Sequence, residues 1–384
     1  MDAKARAEQH FAAAEAELQA LSRWMYDHPE LAYEERETSR HLAEFLAARG
    51  FTVEYPAYGL ETAFAARVGS RGSEVIICAE LDALPGVGHA CGHNLIATAA
   101  IGAGLALAPL VEELGCRVTV LGTPAEEKAG GKVDLIKAGA FNGAAAAMMV
   151  HPADEDTLDP PHLAVDHLAV EFLGKTAHAA ASPWEGRNAL DAFVLAYNNI
   201  SALRQHIYPT DKTHCIITHG GEAPNIIPDY TRSEWYVRAA TRSRLDVFAG
   251  RVMDCFRAAA TATGCTFEVS HVGHLYEDLV SDPLLTRLFD ANARALGRVL
   301  VPGARRDPAA GGSTDMGNVS HVVPAIHPYL DLHCSPVTNH QRAFADQTLT
   351  AEGHQALRDG ALGMAWTVID LAAGDHWAEL ARPQ

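Results

Sequence analysis

Short apolar runs at residues 63–68, 75–79, 118–122 and 145–150 alternate with helix-like stretches through the first part of the chain. That alternation constrains the fold more than any other feature, because strands joined by helices form a mainly parallel, doubly wound α/β sheet. Ligands of such sheets bind beyond the carboxyl ends of the strands. Three of those ends carry metal-type donors. Cys91 and His93 sit in Gly88-His-Ala-Cys-Gly-His-Asn94, Glu126 and Glu127 follow Thr123-Pro-Ala, and His151 precedes Pro152.

The preceding fifty residues read as helical, with Leu18, Leu21 and Met25 on one stripe and Leu42, Phe45 and Leu46 on another before Gly50. An acidic, Pro-rich stretch at 153–161 marks a boundary. Beyond it, strand-like runs at 168–173, 214–218, 231–239 and 266–272 enclose helical stretches at 189–205 and 245–262. The order βαββαβ predicts a small α+β sandwich of the ferredoxin type. A helix–strand mix resumes near residue 282, and a helix over 352–372 closes the chain. The expected organisation is therefore a discontinuous catalytic domain, 1–160 with 278–384, and an inserted domain at 161–277.

The formal net charge of −18 argues against nucleic acid and anionic membrane as partners and fits a small-molecule substrate. The seven cysteines are scattered without a Cys-x-x-Cys pair, so no disulfide framework is expected. The first residues lack the apolar core of a signal peptide, which leads to an expected cytoplasmic location. The uncharged run 95–111 reads as a buried helix rather than a membrane span, being rich in Ala and Gly and interrupted by Pro109.

Thiolate, imidazole and carboxylate donors together suit Zn²⁺, with Co²⁺ or Ni²⁺ as borderline alternatives and Mn²⁺ favouring more oxygen. Gly92 permits the bend that lets Cys91 and His93 converge. Each motif alone also has a plain reading: a small buried Cys beside a capping His, a solvated acidic turn, an edge-of-core His. Their recurrence at successive strand ends favours a metal site. One glutamate of the 126–127 pair would ligate metal while the other takes a proton from water. Cys91 before a helix also admits a thiol-nucleophile reading. His178, at a strand end of the inserted domain, reads as packing or as a donor to a developing oxyanion.

These motifs resemble the M20 family of metal-dependent peptidases and amidohydrolases, nearest the aminoacylase and p-aminobenzoyl-glutamate-hydrolase-like branch. The resemblance is carried by His28-Pro-Glu-Leu-Ala-Tyr-Glu34, Ala79-Glu-Leu-Asp-Ala-Leu-Pro85, 88–94, 122–127, His151-Pro152, Ala177-His-Ala179, Ala223-Pro-Asn-Ile-Ile-Pro-Asp229, Gly312-Ser-Thr-Asp315 and Asn339-His340. It implies two divalent ions held by Cys91, His93, Glu127, His151 and His340, with Cys91 bridging and Glu126 as general base. The residues themselves do not separate His340 from His327 or His333. The resemblance further implies Asn225, Arg238, Ser313 and Thr314 as substrate-binding residues, Asp82 as an orienter of a ligand imidazole, and a homodimer through the inserted domain in which His178 reaches the partner's site. Asn94 stands where many relatives have Asp, removing a charge expected next to the metals.

The function that follows is hydrolysis of an N-acyl amino acid or dipeptide amide by metal-activated water with a Glu base. The alternatives are a metal- or ligand-binding protein on the same scaffold, a thiol enzyme, and an amidohydrolase specialised for a secondary-metabolite or xenobiotic amide.

Overall fold

In the computed structural model, residues 2–303, 307 and 311–380 are described. The chain divides into two compact units. One comprises the chain up to Pro161, Leu279–Asp307 and the chain from Thr314 on; the other comprises His162–Asp278 together with the described residues 311–313.

In chain order the first unit supplies helices α1 (Ala3–Asp27) and α2 (Arg36–Ala47) and strands β1 (Thr52–Glu54), β2 (Phe64–Val68) and β3 (Ser73–Glu80). Helices α3 (His93–Leu107) and α4 (Val111–Leu114), strand β4 (Cys116–Thr123), helix α5 (Gly131–Lys137) and strands β5 (Ala146–Met148) and β6 (His151–Ala153) follow. The second unit is β7 (Ala164–Leu173), α6 (Ala189–Leu203), β8 (Lys212–His219), β9 (Tyr230–Ala239), α7 (Arg242–Thr263) and β10 (Thr266–His271). The first unit then resumes with α8 (Pro283–Ala295), α9 (Met316–Ser320), β11 (Ala325–Ile326), β12 (Tyr329–Asp331), α10 (Arg342–Gln347) and α11 (Ala351–Ala373).

The first unit holds a six-stranded sheet in the order β1-β2-β4-β3-β5-β11. β3 pairs parallel with both β4 and β5, and β5 with β11, while β1 and β2 form an antiparallel edge. Both faces are covered. Val75, Ile77 and Ala79 join the core with α1, α3 and α11, whereas Ile76 and Cys78 face Leu135, Met316 and Val319. A strand buried on both faces needs apolar residues at consecutive positions, which is why β3 reads Val-Ile-Ile-Cys-Ala. The uncharged run becomes α3, buried along nearly its whole length and packed on α1 and α11. No helix of the described residues is long and apolar enough to cross a membrane. All seven cysteines are free.

The apolar run over 145–150 reads in the sequence as one strand. The structure breaks it: β5 ends at Met148, and β6 pairs instead with β12 in a separate two-stranded sheet. The break turns the chain so that His151 lies off the main sheet.

The second unit is a four-stranded antiparallel sheet ordered β10-β7-β9-β8, backed by α6 and α7. This is the ferredoxin-type βαββαβ order. Its core centres on Trp235 and Phe256, with ring centroids 5.3 Å apart.

Candidate metal centre

The centre is assembled where β3, β4 and β5 end. Glu80 closes β3 and Asp82 follows two residues later, both fully buried. The chain then returns through Cys91-Gly92 into α3, whose first residue is His93. Gly92 has φ +80°, and a Cβ there would stand 2.3 Å from Pro152 Cγ. Only glycine therefore lets this turn lie against Pro152. The close approach leaves Cys91 Sγ 3.4 Å from His151 Nε2.

Each imidazole is oriented by what its other nitrogen meets. His151 Nδ1 donates to the carbonyl of Pro152 at 2.8 Å, leaving Nε2 as the ligand-type nitrogen towards Cys91. His93 Nδ1 lies 3.2 Å from Asp82 Oδ1, while its Nε2 is 3.3 Å from Glu80 Oε2 and 3.8 Å from Glu127 Oε1. His340 Nε2 is 3.6 Å from Glu127 Oε2. The backbone N–H of His340 donates to the carbonyl of Ala90 at 2.8 Å, and Asn339 Nδ2 donates to that of Pro152 at 3.2 Å. This stitching brings His340 to the cysteine turn. His333 instead pairs with Asp331 and is exposed, and the buried His327 ring lies 5.4 Å from that of His151.

Three overlapping sets have donor atoms within 4.8 Å of one another: Cys91, His93 and His151; Cys91, Glu127 and His340; His93, Glu126 and Glu127. Among the described residues, Glu80 Oε2, Glu127 Oε1 and His93 Nε2 are buried without a hydrogen bond. Buried carboxylate oxygens turned towards an imidazole nitrogen with no donor between them are the environment a cation satisfies. The mixed S, N and O donor set fits a borderline divalent metal.

The electrostatics agree. Burial would lower the His93 pKa, but Glu80 and Asp82 outweigh it and hold His93 well above its ordinary range, so the site attracts positive charge. Burial and Glu127 push the Cys91 thiol up. A bound cation would reverse that and favour thiolate. Glu126 is held well above the usual carboxylate range, first by burial and then by Glu80, Glu127 and Asp315.

The turn carrying Glu126 and Glu127 is clamped from below. Asp82 accepts from the backbone N–H groups of Glu126 (3.1 Å) and Glu127 (3.0 Å). Glu35 accepts from that of Ala125 (2.8 Å), which adopts a left-handed φ of +59°. Burial and the Asp82 charge raise Glu35 to about 7. Sequence reasoning gives Asp82 a place but stops one residue short of Glu35. It also misses Glu80, Lys132 and Asp315. Lys132 Nζ donates to Glu80 Oε1 at 2.5 Å and Asp315 Oδ1 at 2.6 Å, all three side chains being buried. The available signal was Glu80 itself, a charge directly after the apolar run 75–79.

Asn94 is corrected. Its amide donates to Ser22 Oγ (3.0 Å) and Thr348 Oγ1 (2.9 Å), so the side chain is committed to α1 and the end of α10 rather than to the donor cluster. Thr314 is buried and its hydroxyl accepts from Met316 N–H at the start of α9.

The second unit carries the other anticipated residues. The exposed His178 accepts at Nδ1 from the N–H groups of Ala180 and Ala181, which leaves Nε2 as the donor. The Ala179 N–H donates to the carbonyl of Asn225 at 3.0 Å, which brings the segments that carry the anticipated His178 and Asn225 side by side. Arg238 Nη1 donates to Ser313 Oγ at 2.6 Å, and Ser313 donates to the carbonyl of Leu163. Burial lowers the Arg238 pKa.

The sequence model of peptidase family M20/M25/M40 matches residues 76–349. The chain belongs to that family. It is 41% identical to the Xaa-Arg dipeptidase of Mus musculus, over 96% of this chain and 88% of that protein. It is 27% identical to a p-aminobenzoyl-glutamate hydrolase polypeptide of Escherichia coli, over 90% and 87% respectively. A crystal structure from Bacillus subtilis, described as a dinuclear metal-binding peptidase of the M20 family, superposes with a TM-score of 0.70 at 20% identity, covering 94% of this chain and 99% of that one. This M20 chain is accordingly an enzyme of the peptidase and amidohydrolase class.

Proposed function

We propose that this M20 enzyme is a metal-dependent dipeptidase or N-acyl-amino-acid amidohydrolase. The observation that carries the reading is the convergence of Cys91, His93, Glu127, His151 and His340 around shared donor positions, with Glu126 beside them. Those five residues would hold two divalent ions, Cys91 belonging to both donor sets. Zinc suits the donor chemistry best, with Mn²⁺, Co²⁺ or Ni²⁺ as alternatives. The ions would lower the pKa of water from about 15.7 towards about 7 and polarise the amide carbonyl.

Glu126 takes the proton from water and returns it to the leaving amine; its raised proton affinity suits a group that must do both near neutral pH. Asp82 and Glu35 keep Glu126 and Glu127 in register through the backbone. His178 is assigned as a donor to the developing oxyanion, delivered by a second copy of the chain in a homodimer formed through the second unit. Asn225, Arg238, Ser313 and Thr314 are assigned to substrate binding, with the Arg238 guanidinium for the substrate carboxylate. The similarity to Xaa-Arg dipeptidases and the net charge of −18 favour dipeptides with a basic carboxy-terminal residue.

The test is primary-amine release from Xaa-Arg and Xaa-Lys dipeptides, neutral dipeptides, N-acyl amino acids and p-aminobenzoyl-glutamate, using metal-loaded and chelator-stripped enzyme. Metal-dependent release, fastest on the basic dipeptides, is expected. Release that survives complete metal removal would overturn the reading.

A further inference from the structure

Beyond the mixed-donor sets lies a fourth group made of oxygens alone: Glu80, Glu126 and Asp315, all buried, with one carboxylate oxygen each within 4.8 Å of the others. Oxygen-only groups of this kind ordinarily hold a hard cation such as Mg²⁺. Here the Lys132 ammonium is already among them, 2.5 Å from Glu80 Oε1 and 2.6 Å from Asp315 Oδ1, while the backbone N–H of Lys132 donates to Asp315 Oδ2 at 2.9 Å. The route that delivers it is built for close approach. Gly130 is left-handed at φ +77°, and a Cβ on Gly131 would stand 1.9 Å from the carbonyl of Pro124. Two glycines therefore let α5 begin directly beneath the turn that carries Glu126, and they drive the next residue, Lys132, into the carboxylate group.

The ammonium binds only one of the Glu80 oxygens. The other, Oε2, has no hydrogen bond among the described residues and lies 3.3 Å from His93 Nε2. Lys132 thus fixes a carboxylate whose far side faces a proposed metal ligand, and its charge lies beside the proposed general base.

We infer that Lys132 is a tethered cation occupying a third, oxygen-only pocket of the metal centre, and that it positions Glu126 and, through Glu80, His93. A covalently attached charge cannot exchange with the medium, so the pocket next to the base keeps one positive charge whatever ions fill the outer donor sets. This inference rests on the metal-centre reading above.

The test compares wild-type holoenzyme with Lys132→Ala and Lys132→Met, each loaded with Zn²⁺ and then equilibrated with Mg²⁺. Ions per chain are counted by elemental analysis, and the melting temperature, kcat and KM are followed. Lys132→Ala opens the pocket and is expected to take up about one Mg²⁺ per chain that wild type does not, with a rise in melting temperature and partial recovery of kcat. Lys132→Met fills the space without charge; it should keep its Zn²⁺ and its KM, bind no Mg²⁺, and lose roughly 10–100-fold in kcat. If Lys132→Ala fails to fold even with Mg²⁺, the Lys132→Met kcat decides. No Mg²⁺ uptake by a folded Lys132→Ala, or wild-type kcat in Lys132→Met, overturns the inference. The Mg²⁺ count needs no turnover, so its failure is separable from a failure of the Glu126 assignment, which Glu126→Gln reports.

Discussion

The strand ends of the first unit and the sandwich of the second treat buried polarity in opposite ways. At the strand ends, Glu80, Asp82, His93, Glu126, Lys132 and Asp315 are buried against one another, so each depends on several others for its charge state and orientation. In the sandwich, Asp211 and Trp235 each meet a partner of their own. Asp211 meets Arg244, and the Trp235 indole N–H donates to Ser233 Oγ. Removing one member of a coupled cluster leaves uncompensated charge, whereas a locally satisfied group fails alone. The candidate centre thus gathers buried charges that share partners, while the sandwich core gathers mostly apolar side chains.

The sharpest way to break the contrast is Glu126→Gln. Turnover should fall by about 10²–10⁴ with bound metal unchanged by elemental analysis; near-normal turnover would remove the base from Glu126. Next is Phe256→Ala in the sandwich, expected to lose about 3–5 kcal/mol in denaturant unfolding of that unit while metal affinity stays put. A fall in metal affinity would mean the two kinds of burial are not independent.

Metal affinity itself should depend on pH. Cys91 and His93 both hold their protons above the ordinary range, and a metal must displace them, so affinity rises with pH. Titration calorimetry in buffers of different ionisation enthalpy would show the released protons, and pH-independent affinity would remove these two residues as ligands. A smaller effect is expected at Glu35→Gln: about tenfold in kcat, with KM little changed, because the amide carbonyl still accepts from Ala125 N–H but more weakly.

The smallest effect concerns His167 in the sandwich, lowered to about 4 by burial and by Arg238. Its folded pKa lies below the unfolded value near 6.5, so the unfolded chain binds the extra proton and stability is lost as pH falls from about 6.5 towards 4. His167→Phe should flatten that part of the stability profile of the second unit; an unchanged slope would assign it to other groups.

Much of this was legible in the chain. The period-2 and period-3.6 patterns carried the order of elements, because side-chain burial follows local geometry. Cys91-Gly92-His93, Glu126-Glu127 and His151 were visible because each closes or follows an apolar run. The break between β5 and β6 was not, since Met148-Met-Val150 stays apolar across it and the change of sheet depends on the partner strand β12.

The alternation of elements and the donors at strand ends can be read along the chain, because both depend on neighbouring residues. It took the folded chain to turn the Asn94 amide to Ser22, and to bring Lys132 to Glu80 and, across 183 residues, to Asp315. Those pairings depend on which strands lie side by side and on how closely a glycine lets two backbones approach, and local pattern carries neither.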